Sequence, residues 1–313
     1  MKREQLQADL ALLAVALIWG ATFVMVKKAV MDFPVFAFLS LRFVLAFVTL
    51  GIVIWWKRKG ALTSLSVQER ANSSANRMVI LDRREVRAGS LVGLALFAGY
   101  AFQTVGLKYT SPSKAGFITG LSVVIVPLFS ALFLRRSPSY PAILGVVLAT
   151  VGLALLSLRG NWTIARGDAL VLGCAFAFAL HIVLVGAFAS KMDPLNLTAM
   201  QIATVALMSG LVSLTMERPW PTASKSVYFA AFFTGIFATS LAFAVQNAAQ
   251  RFTSPTHTAL IFSTEPVFAA LFGYLLAGER LGGRALLGCG LILAGMMVAE
   301  VREDKNASRG ATG

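Results

Sequence analysis

Long apolar stretches, separated by short breaks rich in proline, glycine or charge, follow one another along this chain of 313 residues. Windows of about 19 residues separate ten such stretches, each close to the roughly 20 residues that a helix needs to cross a bilayer. The pattern therefore predicts an all-α integral membrane protein with ten transmembrane helices. We place them at 9–28, 35–56, 89–107, 115–134, 141–158, 168–189, 196–216, 226–246, 256–277 and 284–301.

Composition fits a chain whose surroundings are lipid. Hydrophobic residues make up 57% and charged residues 13%, whereas a typical soluble domain carries about 25% charged residues. This balance excludes a soluble enzyme, a disulfide-rich scaffold and a disordered chain. The first apolar run, at 10–26, is longer than a signal-peptide core, so we predict an uncleaved first helix. Cys174 and Cys289 lie inside apolar stretches, and we predict that both are core residues.

Basic residues outnumber acidic ones by 28 to 14, for a formal net charge of +14. With the N-terminus inside, the ten predicted helices place 17 basic residues on the inner face and 10 on the outer face. The positive-inside rule therefore predicts cytoplasmic N- and C-termini. Eight of the inner residues lie in the 57–88 loop, which we expect on the lipid headgroups, with peptide binding as the alternative. The excess charge is thus assigned to orientation and lipid contact, and nucleic acid is not expected as a partner.

The chain contains an internal repeat. The sequence QTVGLKYTSPSKAGFI at 103–118 matches QNAAQRFTSPTHTALI at 246–261, an offset of 143 that preserves the glutamine, the Thr-Ser-Pro and the final isoleucine. The same offset relates glycines of two later helices to each other: Gly145 to Gly288, and Gly152 to Gly295. An ancestral duplication accounts for these matches.

Each repeat holds five predicted helices, an odd number, so the second repeat must cross the membrane in the opposite direction from the first. We place the first repeat at 1–160, including the basic loop, the second at 161–301, and a cytoplasmic tail at 302–313. Inverted repeats are typical of secondary transporters, in which the substrate binds near the bilayer midplane between the halves. A duplicated structural bundle without transport is the alternative.

Several motifs in order along the chain resemble those of the EamA-type transporters of the drug/metabolite transporter (DMT) superfamily. They are LIWGATF at 17–23, LRFVLA at 41–46, EPVFAALF at 265–272, GERL at 278–281 and GCGLILAG at 288–295. The resemblance covers about residues 8–301. It implies the fold of two inverted five-helix repeats (5+5), a bacterial cytoplasmic (inner) membrane location, and export of amino acids or related metabolites. The 57–88 loop is longer and more basic than this family leads us to expect.

Two charged residues lie within predicted helices, where a charge costs about 2.5–3.5 kcal/mol. Glu265 lies about ten residues into the ninth helix, near the midplane, and its repeat counterpart at an offset of 139 is Val126. We interpret Glu265 either as a carboxylate that binds a proton or a cation or as a structural partner of Arg42. For Arg42, the alternatives are a structural ion pair, snorkelling to the interface, and direct contact with substrate.

Other polar residues are candidates for a substrate cavity. His181, which the repeat aligns with Thr22, lies in the middle of helix six and either bonds a neighbour or lines the cavity. Gln103 and Gln246 occupy equivalent positions, and with Asn247 they either bind substrate or cap helix ends.

Aromatic and proline residues complete the candidate site. Trp19 either walls the cavity or serves as a packing or interface anchor. Pro127 and Pro266 each free a backbone carbonyl, and their equivalent positions predict bends or hinges that line the cavity.

Absent motifs narrow the function further. The sequence has no nucleotide-binding GxxxxGK[ST], no HExxH and no GxSxG, so we predict neither ATP-driven transport nor an enzyme. We expect no cofactor and no metal, since His181 is accompanied only by His257. The prediction is a secondary exporter of small metabolites, most simply amino acids, with alternating access and coupling to protons through Glu265. Efflux of hydrophobic cations, and a membrane scaffold or lipid-handling enzyme, are the alternatives. The expected partners are a small-molecule substrate and the bilayer, and the sequence leaves monomer or homodimer open.

Overall fold

The computed structural model describes residues 3–63, 82–110, 112–135, 138–157, 166–277 and 282–309. Within these ranges all regular secondary structure is helical. The elements are α1 (Arg3–Asp32), α2 (Val35–Thr63), α3 (Arg83–Tyr109), α4 (Pro112–Gly120), α5 (Ser122–Leu134), α6 (Tyr140–Ser157), α7 (Arg166–Phe188), α8 (Pro194–Met216), α9 (Lys225–Gly235), a π-helical segment (Ile236–Leu241), α10 (Ala242–Ala249), α11 (Pro255–Phe262), α12 (Glu265–Ala277) and α13 (Gly283–Arg309).

The helices follow the predicted apolar stretches, but α2, α3 and α13 extend beyond them. In the described part of the chain, six are long and apolar enough to cross a membrane, and shorter apolar helices accompany them. Helix α2 runs on to Thr63 and α3 begins at Arg83, so both extend into the basic 57–88 loop, whose residues 64–81 lie outside the described residues. Helix α13 continues to Arg309, past the predicted start of a tail at 302. The GERL motif at 278–281 also lies outside the described residues.

Two of the predicted helices are interrupted near their middle. Leu121 separates α4 from α5, and Ser263 with Thr264 separates α11 from α12. Ser122 and Glu265 therefore each begin the second segment, at an offset of 143. This differs from the sequence alignment at 139, which pairs Glu265 with Val126, because the helix interruption and the proline do not keep a constant spacing in the two halves.

Side chains satisfy the free N–H groups at the starts of several helices. Asp193 accepts hydrogen bonds from the N–H groups of Leu195 and Asn196 at 2.8 and 3.2 Å, which fixes the start of α8. Glu217, at the end of α8, accepts from the N–H groups of Phe36 and Ala37 at 3.0 and 2.8 Å. A carboxylate from one helix thereby caps the start of α2 and ties the two helices together.

Two large groups of buried apolar side chains form most of the core, and a smaller third group includes Val92 of α3 and Val185 of α7. One contains Leu12 of α1, Val126 of α5, Leu153 of α6, Leu260 of α11 and Ile292 of α13. The other contains Phe23 of α1, Phe38 and Phe43 of α2, Leu96 of α3 and Phe243 of α10. Trp19 packs against both groups. Large apolar side chains such as Trp56 and Leu132 stay exposed, which suits a surface that faces lipid.

Helices α6 and α13 cross at glycines. A Cβ atom on Gly152 would lie 2.6 Å from the carbonyl oxygen of Gly288, and one on Gly295 would lie 2.6 Å from the carbonyl oxygen of Gly145. Backbones approach this closely only where no side chain intervenes. The contact is reciprocal, since each helix contributes one glycine that faces a backbone carbonyl of the other.

We expect Gly295→Val to destabilise the purified protein by about 1–3 kcal/mol, because the added side chain overpacks this crossing. The matched control is Gly290→Val, the same change in the same helix at a position where an added Cβ meets no atom within 4 Å. The measurement is the temperature at which half of the protein loses its monodisperse state in detergent. Equal losses for the two variants would contradict a tight crossing.

Candidate functional site

A cavity of about 80 Å³ lies among α1, α2, α3, α7, α10 and the interrupted helices, and it is large enough for several water molecules. Eight of the ten residues singled out from the sequence line it: Trp19, Thr22, Arg42, Gln103, His181, Gln246, Glu265 and Pro266. The structure therefore brings together side chains from six helical segments that are distant in the sequence.

Two of the ten lie elsewhere. Asn247 is fully buried, and its Nδ2 donates to the Thr198 hydroxyl at 2.8 Å, which joins α10 to α8. Pro127 is buried inside α5, six residues after the interruption at Leu121. The interruption thus does not coincide with Pro127, whereas Pro266 lies in the first turn of α12 and lines the cavity.

Arg42 carries the positive charge of the cavity and is only 3% exposed. Its Nε donates to the Thr239 hydroxyl at 2.8 Å, and one terminal nitrogen donates to the Tyr100 hydroxyl at 3.1 Å and to the Ala238 carbonyl at 3.4 Å. The guanidinium also lies over the Tyr100 ring, 4.7 Å from its centroid. Hydrogen bonds and a cation–π contact thus offset part of the cost of burying the charge.

Glu265 is the acidic side chain that lines the cavity. It is partly buried at the start of α12, and among the described residues no hydrogen bond or ion pair involves its carboxylate. The hydrogen bonds of Arg42 go to neutral groups, so the two opposite charges line one cavity without pairing to each other. The backbone of Glu265 is held by α1, since a Cβ on Gly20 would lie 2.8 Å from the Glu265 carbonyl oxygen.

Trp19 serves both roles considered for it. Its ring is 4.9 Å from Phe262 and 5.6 Å from Phe243, centroid to centroid, so it packs inside an aromatic group. It also lines the cavity, and its indole N–H donates to the Ala238 carbonyl at 2.8 Å. Ala238 therefore receives hydrogen bonds from both Trp19 and Arg42.

Three other polar lining residues, His181, Gln103 and Gln246, have hydrogen-bond partners within the protein. His181 Nε2 lies 2.7 Å from Gln201 Oε1. Gln103 donates to Thr119 at 3.3 Å, and Gln246 donates to Gln250 at 2.8 Å. Each of these two amides donates to a side chain of the protein. Two of these contacts join different helices, Gln103 with Thr119 and His181 with Gln201, so they hold the polar wall in place between helices.

Sequence reasoning missed most of the aromatic lining, which includes Tyr100, Phe178, Phe243 and Phe262. A signal was present, because Tyr100, Phe178 and Phe243 each lie three residues before a polar residue that was singled out. Residues three apart share a helix face. An aromatic residue that shares a helix face with a polar residue in the middle of the helix is thus a candidate for lining the same cavity.

No group of three or more His, Cys, Asp or Glu side chains that could hold a metal ion occurs among the residues that the structure describes. The cavity chemistry of those residues is therefore one cation, one anion, amides, hydroxyls and aromatic rings.

Comparison with known proteins agrees with this architecture. The family model described as the EamA-like transporter family matches residues 6–158 and again residues 165–300. The chain belongs to the EamA-like transporter family. It is accordingly a multi-pass membrane protein of a family of transporters.

Individual relatives have the same character. An uncharacterized transporter of Archaeoglobus fulgidus is 31% identical over 96% of this chain and 87% of its own length. The uncharacterized transporter YyaM of Bacillus subtilis is 23% identical over 95% of this chain and 94% of its own length. A crystal structure superposes with a TM-score of 0.74 at 19% identity, over 94% of this chain and 98% of that chain, a likeness of fold alone.

At one end of the cavity of this EamA-like protein, a lysine joins two helices. The ammonium of Lys27, on α1, donates to the carbonyl of Leu107 and, at 3.2 Å, to that of Thr110, both at the end of α3. Val26 and Leu107 line the cavity, so this contact lies beside it. A lysine also suits the negative end of a helix dipole.

Removing this contact should loosen the cavity. We expect Lys27→Met to raise several-fold the rate at which a water-soluble thiol reagent labels Ser122→Cys, a nearly isosteric reporter in the lining, once Cys174 and Cys289 are replaced. Lys28→Met is the control, because it removes the same charge at the neighbouring position, where the lysine is exposed. The link between Lys27 and access fails if the two lysine variants label alike.

Proposed function

We propose that this protein is a secondary exporter of small metabolites that carry both an ammonium and a carboxylate group, of which amino acids are the simplest. The observation that carries the proposal is that the buried Arg42 and the partly buried Glu265, which have opposite charges when ionised, face one cavity and do not pair with each other. The proposed mechanism is alternating access between two inverted five-helix halves, at 1–160 and 161–301.

Helix contacts support the inverted arrangement. The crossing of α6 and α13 is reciprocal, and its glycines correspond at the repeat offset: Gly145 with Gly288, and Gly152 with Gly295. A pair of equivalent helices that meet through equivalent atoms is what a two-fold axis between the halves produces. The two separate matches to the family model, at 6–158 and 165–300, fit the same division.

The lining residues correspond in pairs across the halves. Offsets of 159 and 143 relate Trp19 to Phe178, Thr22 to His181, Tyr100 to Phe243 and Gln103 to Gln246, all of which line the cavity. The two charges break this pattern. The counterpart of Arg42 is Gln201, and the counterpart of Glu265 at the helix interruption is Ser122. Each charge is therefore a specialisation of one half, which favours a role in recognition over one in folding.

The chemistry of the cavity suits a zwitterion. A charge buried away from water is costly unless it is paired, and a solute with an ammonium and a carboxylate supplies a partner to Glu265 and to Arg42 at once. Such a solute adds no net charge to the cavity. The surrounding rings of Trp19, Tyr100 and Phe178 suit an apolar side chain of that solute.

Coupling to protons follows from the same carboxylate. When the substrate leaves, Glu265 loses its cationic partner, and a proton is the simplest replacement within a low-dielectric cavity. Exchange of a proton for the substrate ammonium would then couple export to a proton gradient. We further propose a bacterial cytoplasmic membrane location with both termini in the cytoplasm, on the basis of the basic residues at the predicted inner face.

Efflux of hydrophobic cations is the second candidate, since Glu265 and the aromatic rings would also suit such a substrate. Arg42 argues against it, because the guanidinium lies in the same cavity and repels a ligand whose only charge is positive. A scaffold or lipid-handling enzyme has no observation in its favour.

Reconstituted vesicles test the function directly. We expect labelled amino acids with apolar side chains to enter vesicles that contain the protein faster than empty vesicles, and an imposed pH gradient to increase that rate. Quaternary cations of similar size should enter more slowly than these amino acids, because Arg42 repels a ligand whose only charge is positive. If no amino acid entered faster than in empty vesicles, the proposed function would be wrong.

Glu265→Gln should abolish the acceleration by the pH gradient, because the amide keeps the shape of the side chain and cannot exchange a proton. Glu265→Asp retains a carboxylate and should keep part of the acceleration, which makes it the matched control. The measurement is the initial uptake rate at several imposed gradients. An unchanged dependence on the gradient in Glu265→Gln would remove this residue from coupling.

A further inference from the structure

Between equivalent positions, the helix that runs from α9 into α10 has one residue more than α3, the corresponding helix of the first half. Near the ends of these helices, Gln103 corresponds to Gln246 at an offset of 143, whereas Gly93 corresponds to Gly235 at an offset of 142. The second half therefore carries one additional residue between Gly235 and Gln246.

The contacts of the two glycines confirm that they are equivalent. A Cβ on Gly93 would lie 3.0 Å from Cα of Gln201, and one on Gly235 would lie 2.8 Å from the carbonyl oxygen of Arg42. Gln201 and Arg42 are themselves related by the repeat offset of 159. Both glycines thus face the same position of the partner helix, so the insertion lies on their C-terminal side.

The inserted residue is accommodated as the π-helical segment Ile236–Leu241, while α3 is α-helical throughout. In an α-helix the carbonyl of Ala238 would accept from the N–H of Ala242, but here that N–H donates to Phe237 and Thr239. The Ala238 carbonyl does not receive this N–H, and it accepts from Trp19 at 2.8 Å and from Arg42 at 3.4 Å. π-bulges of this kind are frequent at functional sites.

Thr239 in the same segment holds Arg42 directly. Its hydroxyl accepts from Nε of Arg42 at 2.8 Å and donates to the Thr234 carbonyl, five residues back, also at 2.8 Å. Thr239 is fully buried, so water does not compete for the hydroxyl. With its hydrogen committed to Thr234, the oxygen is a fixed acceptor that faces the guanidinium.

We propose that the π-helical segment is a positioning device for substrate recognition and that Thr239 is its positioning residue. Together with the Ala238 carbonyl it holds the Arg42 guanidinium on its own side of the cavity, with the remaining N–H groups available to a substrate carboxylate. Without this anchor the guanidinium is free to move toward the unpaired carboxylate of Glu265, and the two would neutralise each other. This inference rests on the proposed function in one respect, that Arg42 binds a substrate carboxylate.

The test compares two probes that differ only in the carboxylate, L-phenylalanine and 2-phenylethylamine, in vesicles that contain the protein. Thr239→Val removes the hydroxyl at nearly constant shape. It should raise the half-saturating concentration of L-phenylalanine by about tenfold, the equivalent of roughly one hydrogen bond to a charged group, and leave that of 2-phenylethylamine unchanged. Thr239→Ser restores the hydroxyl and should restore the wild-type value for L-phenylalanine.

The matched control is Thr234→Val, the same change in the same helix. Thr234 is also fully buried, and its hydroxyl donates to the Ala230 carbonyl rather than to Arg42. The valine variant keeps the Thr234 carbonyl and should leave both probes unaffected. Equal losses for both probes in Thr239→Val, or the same selective loss in Thr234→Val, would overturn the positioning role.

A second measurement does not depend on transport. In protein with ¹⁵N-labelled arginine, the Nε–H signal of Arg42, assigned by its absence in Arg42→Lys, should exchange slowly with water. It should exchange rapidly in Thr239→Val and slowly in Thr239→Ser. If the wild-type protein transports neither probe, the proposed function is wrong, and the Arg42 signal still tests the positioning role of Thr239. An unchanged Arg42 signal in Thr239→Val would overturn that positioning role.

Discussion

A guanidinium held inside the membrane part of the protein is the constraint around which the cavity is organised. Arg42 is 3% exposed, and in an apolar environment its charge must be stabilised by fixed groups. Those groups come from two other helices, through Tyr100 of α3 and through Ala238 and Thr239 of the π-helical segment. Because these contacts involve both halves of the chain, satisfying one charge also fixes the relative position of the helices that line the cavity.

Most of the helix positions could be predicted from the sequence, because in lipid the hydropathy pattern and the need to satisfy the backbone act together. The interruptions at Leu121 and Ser263 were not predicted at their true positions. A proline removes the hydrogen-bond donor of the carbonyl four residues before it. The helices are interrupted near those carbonyls but not at them. The one-residue insertion that produces the π-helical segment also escaped prediction, since the repeat alignment used only the C-terminal part of that helix, where the offset is constant.

Part of the candidate site could be predicted, because a polar side chain deep within an apolar stretch is expected to face a cavity. Glu265, Arg42 and His181 are polar residues within the predicted apolar stretches, and all three line the cavity. Asn247 follows Gln246 by one residue and therefore points about 100° away around the helix, into a contact with Thr198. The sequence does not show which of two adjacent side chains faces the cavity, because this depends on which face of the helix contacts its neighbours. The aromatic lining was missed for the opposite reason, since apolar residues are expected everywhere in a membrane helix.

The two halves share most of the cavity and differ in its charges. Duplication provides equivalent aromatic and amide positions on both sides, and the charged residues are additions to this frame: Arg42 where the other half has Gln201, and Glu265 where it has Ser122. A symmetric frame suits alternation between two conformations, because equivalent contacts can be exchanged at similar free energy. Recognition of an asymmetric solute, in contrast, needs asymmetric groups, which these two charges supply.

The central claim is that each charge recognises one group of the substrate, and a binding comparison of Arg42→Gln with Glu265→Gln tests it most directly. Three ligands of the same skeleton are titrated against each variant: L-phenylalanine, its analogue without the carboxylate and its analogue without the ammonium. The account predicts that Arg42→Gln weakens only the two ligands that have a carboxylate, and that Glu265→Gln weakens only the two that have an ammonium. Equal weakening of all three ligands by both variants would contradict it.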